Sequence, residues 1–275
     1  MTQVSLNGVG PVVLIGAGKM GLALARGWLA AGLSRNELVL VDPNPADSTE
    51  RFAADNGVRL LSNAQGVLVA VMVLAVKPQV MAPVLEQLRP LIGGHTLVIS
   101  IAAGISIATI AAGLGTGRVI RAMPNTPAQV GKGVTGVVSG PGVGEADRQI
   151  ADALLRAAGE VLWFDEETML DVVTAVSGSG PAYVFHFVEA LAAAGVRQGF
   201  DAEQAMRLAR QTVIGAAALL EADPSSVATL RQNVTSPKGT TEAALGVLMA
   251  PNGLSNLMEK TVLAARLRSE ELGRG

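Results

Sequence analysis

The chain has 275 residues, 49% hydrophobic content and a formal net charge of −2 at neutral pH. That is enough apolar material for one large or two ordinary domains, and the near-neutral charge offers no basic field to attract nucleic acid. Cysteine is absent, which excludes disulfides, thiolate metal sites and a cysteine nucleophile, and suits a reducing, cytoplasmic setting.

Near the N-terminus, no basic stretch precedes a long apolar run, so a secretory signal is not expected. Pro11–Gly16 (PVVLIG) reads as a buried strand, and Gly18–Gly32 carries helical apolar spacing closed by a glycine. A second strand ends at Asp42, a helical stretch follows through Arg51–Asn56, and a short strand lies near Val58–Leu61. The Val-rich run Val67–Val76 is about half the length needed to cross a bilayer and reads as another buried strand. After it come a helix around Val80–Leu88, a strand in HTLVISIAAG, a helix through Ile107–Ala112, RVIRAMPNTP, GVTGVVSG, a helix from Glu145 to Ala158 and a last strand in EVLWFD. This alternation predicts a parallel sheet covered on both faces.

Beyond Glu167 the pattern changes to long Ala- and Leu-rich helical segments broken at SGSGP, GFD, DPSS, SPKG and APNG. The expected organisation is a Rossmann-like α/β domain over residues 1–166 and an all-helical domain over 167–275, joined through a helix near Met169. Aromatic residues are only 3% of the chain, so its helices are expected to pack through small side chains.

Gly16-Ala17-Gly18-Lys19-Met20-Gly21 follows the first strand and opens a helix, the setting in which a glycine fingerprint binds a dinucleotide. The first glycine permits a tight turn, the second lets backbone approach a pyrophosphate, and the third lets helix pack on sheet. Asp42, ending the second strand, is placed to meet an adenosine ribose. Its carboxylate favours NAD over the 2′-phosphate of NADP, although Lys19, Asn44 and Arg51 could offset that preference. The alternative is that the glycines only make a turn and Asp42 only caps the segment after it.

Other catalytic constellations are missing. His95 and His186 have no ligand-type neighbours at useful spacing, so no metal is expected. The glycine-rich VSGSGP lacks the strand and histidine partner of a nucleophile elbow. A carbonyl reductase needs a proton donor, whereas an imine can arrive already protonated, leaving hydride delivery and orientation as the protein's tasks.

The motifs GAGKMG, AVKPQ, SIAAGI, RAMPNTPAQVGKG, VSGSGPAYVF and VTSPKGTTEAAL, in this order, resemble pyrroline-5-carboxylate reductase. The resemblance implies NAD(P)H-dependent reduction of the C=N bond of 1-pyrroline-5-carboxylate to L-proline, the last step of proline biosynthesis. It also implies a helical dimerisation domain and assembly of homodimers into a larger ring such as a decamer. Residue by residue, it assigns Ile15, Gly16, Ala17, Gly18, Lys19 and Met20 to the pyrophosphate and Asn63 to the adenosine ribose. Ala75, Val76, Lys77 and Pro78, with Ile101, Ala102 and Ala103, would border the cofactor, Asn233 would touch it, and Met123, Pro124 and Asn125 would lie beside the nicotinamide.

By the same resemblance, Ser236, Thr240 and Thr241 hold the substrate carboxylate, with Ser236 and Thr241 as catalytic-site hydroxyls and Glu167 near the bound substrate. Lys238 stands where the family places a glycine, so a positive φ there would strain it by about 1 kcal/mol. Asp42 replaces the small hydroxyl residue of many relatives, which sets NAD against the family's frequent NADP. Two further readings stand beside this one: a reductase of another cyclic imine, such as the six-membered homologue, and a dinucleotide sensor without catalysis.

Overall fold

A computed structural model describes residues 5–273, which divide into two compact units. The first runs to Gly178 and takes in the chain again from Ala265; the second is Ser179–Ala264.

The first unit is built on eight strands: β1 (Val12–Ile15), β2 (Leu38–Val41), β3 (Arg59–Leu61), β4 (Val71–Leu74), β5 (Leu97–Ser100), β6 (Val119–Met123), β7 (Gly133–Ser139) and β8 (Gly159–Trp163). They form one sheet in the order β3-β2-β1-β4-β5-β6-β7-β8. Successive residues of the central strands face opposite cores. Val12, Leu14, Leu38, Leu40, Val71 and Val73 point into one, and Val13, Ile15, Val39, Val41, Met72 and Leu74 into the other. With both faces covered, apolar residues must run without polar alternation, which is the signal these strands carry.

The Val-rich run from Val67 is strand only over Val71–Leu74, because its neighbour β1 pairs with it over four residues, from Val12–Val71 to Ile15–Leu74. Leu68 is outside the strand and 77% exposed. The all-parallel expectation also needs correction, since β7 runs antiparallel to β6. Only Pro124–Lys132, containing a single 3₁₀ stretch at Thr126–Val130, connects them. That length is too short for a crossover helix and permits a hairpin. β8 then returns parallel to β7 after a crossover helix over Glu145–Arg156.

The covering helices are α1 (Lys19–Ala30), α2 (Asp47–Asn56), α3 (Met81–Leu88), α4 (Ile107–Leu114) and α5 (Glu145–Arg156). Trp28 of α1 is fully buried and donates from Nε1 to the Leu154 carbonyl of α5 at 2.8 Å, so the largest apolar side chain keeps its polar atom paired. A short helix α6 (Met169–Val173) continues into a π turn at Thr174–Gly178. Because α6 packs on β6 and β7, it stays with the sheet, and the compact division falls after Gly178.

The second unit contains α7 (Gly180–Arg197), α8 (Ala202–Ala222), α9 (Val227–Asn233), α10 (Thr240–Leu248) and the start of α11 (Leu254–Gly273). The GFD break is a turn with Gly199 at φ 112, after which Asp201 caps α8 by accepting the Gln204 N–H at 2.8 Å. α7 and α8 meet through Ala192, Ala205 and Ala209, the buried residues of this unit. A Cβ on Gly195 would lie 3.4 Å from that of Ala205, so small side chains set the helix spacing, as the composition suggested. Such contacts bury little area. Phe185, Leu219 and Val247 remain 65%, 58% and 74% exposed.

Candidate functional site

The C-terminal ends of β1, β4, β5 and β6 form one edge of the sheet, and the strand order reverses between β1 and β4, where such sheets bind ligands. The glycine loop leaves β1 at this point. Gly16 has φ 87, and a Cβ there would lie 2.9 Å from both the carbonyl carbon of Ala75 and Cγ1 of Val76. Gly21 is equally constrained, 2.6 Å from the Gly16 carbonyl oxygen and 3.2 Å from Leu14. Gly18 differs: nothing lies within 4 Å of its Cβ position. Two glycines therefore serve internal packing, and the middle one leaves the start of α1 open to an approaching group.

α1 has no side-chain cap at Gly18, so its first amide groups face outward with the positive end of the helix dipole behind them. This donor set fits a pyrophosphate. Asp42 lies at the end of β2. Its Oδ2 accepts the Ala17 N–H at 3.1 Å and its Oδ1 the Asn44 N–H at 3.0 Å. The carboxylate is thus held in place while each oxygen retains a further lone pair.

Along the same edge lie Ala75–Pro78 after β4, Ile101–Ala103 after β5 and Met123–Asn125 after β6. Asn63 follows β3 and accepts the Gln65 N–H through Oδ1 at 3.1 Å. Lys77 is exposed. Asn125 is buried, and its amide is used internally: Nδ2 donates to the Ser177 carbonyl at 3.1 Å, and Oδ1 accepts the Val134 N–H at 2.9 Å. It ties β7 to the π turn. Glu167 Oε1 accepts the Ile107 N–H at the start of α4 at 2.8 Å and pairs with Arg121 Nη1 at 2.9 Å.

The remaining assigned residues are in the second unit. Asn233 ends α9 and is exposed. Ser236-Pro237-Lys238-Gly239 closes through a Gly239 N–H to Ser236 carbonyl hydrogen bond of 2.9 Å. Lys238 has φ 59, the one positive φ outside glycine among the described residues. Proline second and positive φ third define a type II turn, which normally takes glycine at Lys238's position. Gly239 caps α10 without a side chain, so the Thr240 and Thr241 amides open the helix as unpaired donors beside their own hydroxyls and that of Ser236. These groups suit a carboxylate.

Elsewhere, His186 pairs with Glu189 at 3.2 Å on an exposed helix face. No cluster of three metal-ligating side chains exists among the described residues. Arg118 grips the buried Asp147 through both carboxylate oxygens, and the Gly144 N–H adds a third bond. The guanidinium contact holds the Asp147 carboxyl below its usual range despite burial.

Sequence patterns gave no sign of Thr49, Arg121 or the π turn. Thr49 is 1% exposed and donates to the Ala17 carbonyl at 2.8 Å, within the glycine loop. A threonine in the first turn of a polar helix carries no spacing signal that would reveal such a contact.

An open glycine loop at the switch point of a Rossmann-like sheet, followed by a helical unit, defines a nicotinamide-dinucleotide-dependent oxidoreductase. Residues 11–104 match the family model described as NADP oxidoreductase, coenzyme F420-dependent, and residues 167–272 match that of pyrroline-5-carboxylate reductase dimerisation. The chain is 42% identical over 264 residues to pyrroline-5-carboxylate reductase of Pseudomonas aeruginosa, covering 95% of this chain and 96% of that one. A solved pyrroline-5-carboxylate reductase from Coxiella burnetii superposes with TM-score 0.89 at 38% identity, covering 96% and 98% of the two chains. The Plasmodium falciparum enzyme, solved with NADP bound, gives 0.80 at 29% identity over 96% and 98%. The chain belongs to the pyrroline-5-carboxylate reductase family.

Proposed function

We propose that the protein reduces 1-pyrroline-5-carboxylate to L-proline, holding the ring's carboxylate at the Ser236–Thr241 turn and a reduced nicotinamide dinucleotide along the C-terminal edge of the sheet. The observation that carries this is the presence of two anion-binding helix starts: α1, whose loop leaves Gly18 open, and α10, which begins with two threonines.

The residues present fit the dinucleotide. Gly18 and the first amides of α1 would hold its pyrophosphate, Asp42 its ribose, and Met123–Asn125 would border its nicotinamide, which supplies the hydride. At the other helix start, Ser236 and Thr241 contribute hydroxyls and Thr240 and Thr241 contribute N–H groups to the substrate carboxylate. Hydride adds to the carbon of the protonated C=N group, and the π pair becomes the nitrogen lone pair of the amine. The nitrogen already carries its proton, so no general acid is required. Hydride delivery and orientation are then the protein's tasks.

Asp42 supports NADH as the preferred donor, because a 2′-phosphate would meet a carboxylate held in place by two backbone N–H groups. The NADP oxidoreductase family model and the NADP-bound Plasmodium relative favour the opposite preference. Initial rates with both donors decide it: faster turnover with NADH supports the ribose role of Asp42, and faster turnover with NADPH rejects it.

The exposed apolar side chains of the second unit support a homodimer in which a second copy covers them. Assembly into a larger ring such as a decamer belongs to the same proposal, as does a cytoplasmic site of action. No described helix is long and apolar enough to cross a membrane.

A further inference from the structure

We propose that Thr49 is a positioning residue for dinucleotide binding, acting through the peptide groups of the glycine loop. This inference rests on the proposed binding of a dinucleotide at that loop.

Ala17, the residue between the first two glycines, is gripped on both sides. Its N–H donates to Asp42 Oδ2 at 3.1 Å, and its carbonyl accepts the Thr49 hydroxyl at 2.8 Å. The two grips come from different segments: Asp42 directly follows β2, and Thr49 lies in the first turn of α2. Thr49 and Ala17 are each 1% exposed, so the contact is closed to bulk water.

A peptide group is planar, and in the trans form its C=O and N–H point in opposite directions. Fixing the Ala17 carbonyl on Thr49 therefore fixes the Gly18 N–H to point away from α2. Fixing the Ala17 N–H on Asp42 sets the preceding peptide plane as well. Gly16 and Gly18 flank these planes, and glycine adopts more φ and ψ combinations than any other residue. The loop that needs glycine for close approach is thus the segment most able to rotate its amides out of line, and the paired contacts on Ala17 remove that freedom.

Affinity for a ligand scales with the fraction of protein already in the competent arrangement. Loss of the Thr49 hydroxyl lowers that fraction and leaves a buried carbonyl without its donor. Binding of both dinucleotides falls together, since the clamp acts on the loop that meets their common pyrophosphate. Asp42 shares the grip on Ala17 but has a second role in the proposed site, where its charge would face the position at which NADH and NADPH differ.

The test uses the full-length protein and titrates NADH and NADPH calorimetrically into wild type, Thr49→Val, Thr49→Ala and Thr49→Ser, with steady-state rates on 1-pyrroline-5-carboxylate. Thr49→Val is near-isosteric, and Thr49→Ala keeps the test open if the valine variant folds poorly. The expected result is about ten-fold weaker binding and higher KM for both dinucleotides in the Val and Ala variants, corresponding to one lost buried hydrogen bond. Their kcat at saturation stays within about two-fold of wild type, since a clamp on binding geometry adds nothing once the site is filled, and Thr49→Ser restores affinity. A lower melting temperature with unchanged dinucleotide affinity would reduce Thr49 to a packing residue and overturn the inference. So would a loss confined to one dinucleotide. If wild type binds neither dinucleotide, the cofactor reading itself falls and takes this inference with it.

Discussion

Lys238 donates its backbone N–H to Glu242 Oε2 at 2.6 Å while holding φ at 59, the left-handed region that its turn would normally reserve for glycine. The contact joins the third residue of the Ser236–Gly239 turn to the first turn of α10 and offsets part of the strain of placing a side chain there. Lys238→Gly is expected to stabilise the protein by about 1 kcal/mol, raising Tm by about 2 °C. Calorimetry of the two proteins checks this. Glu242→Ala, which leaves the strained residue without its acceptor, should lower Tm by a similar amount.

The Arg118–Asp147 pair gives stability a defined pH dependence. The folded-state pKa of Asp147 is lowered, chiefly by the Arg118 hydrogen bonds, so the unfolded chain binds its proton more readily. The pair's contribution is fully present above the ordinary carboxylate pKa of about 4 and is lost as pH falls below it. Arg118, whose pKa is raised, stays charged throughout. Asp147→Asn should cost about 2 to 3 kcal/mol at pH 7, and the gap between variant and wild type should narrow below about pH 4. Urea midpoints at pH 7 and pH 3.5 measure both effects.

Asn125 is expected to be structural as well as close to the cofactor. Its amide satisfies a carbonyl in the π turn and an N–H at the start of β7. Asn125→Asp loses the donor to Ser177 but keeps the acceptor for Val134. We expect a loss of about 1 to 3 kcal/mol, with faster hydrogen exchange across Thr174–Gly178 and little change at Val134. Equal change at both places would show that the amide does not act as two separable contacts.

The exposed apolar face of the helical unit predicts dependence on a second copy. Phe185→Asp places a charge where an aromatic ring is 65% exposed in the single chain. If a partner covers this face, sedimentation should shift the variant toward monomer and its melting temperature should fall and become concentration-dependent. A variant that keeps the wild-type assembly would place the interface elsewhere.

Much of the fold was legible because double-sided burial writes itself directly into strands such as Val12–Ile15 and Leu38–Val41. The direction of β7 was not. Its composition suits a strand either way round, and the reversal is set by the short connection from Met123. Ser177–Pro181 reads as a helix break, and the break falls at Ser179, but the π turn before it at Thr174–Gly178, with Ser177 Oγ donating back to the Val173 carbonyl at 3.1 Å, carries no spacing signal. Glycine spacing located the open loop after β1, but the hydrogen bond on the Ala17 carbonyl comes from a buried threonine 32 residues away. Only the packing of α2 brings the two together, and sequence spacing cannot express that. Lys238 was the reverse case, since the resemblance places a glycine at its position and so raised the question of a positive φ, which the turn has.

The most direct measurement is the initial rate of dinucleotide oxidation by the purified protein with 1-pyrroline-5-carboxylate and with 1-pyrroline, the same ring without its carboxylate. Saturable turnover of the carboxylated ring is expected, with kcat/KM lower by roughly 100-fold or more for the bare ring, since the hydrogen bonds proposed at Ser236, Thr240 and Thr241 would be lost. Equal turnover of both rings would contradict the role of that turn, and no turnover of the carboxylated ring by folded, dinucleotide-binding protein would contradict the proposed reaction.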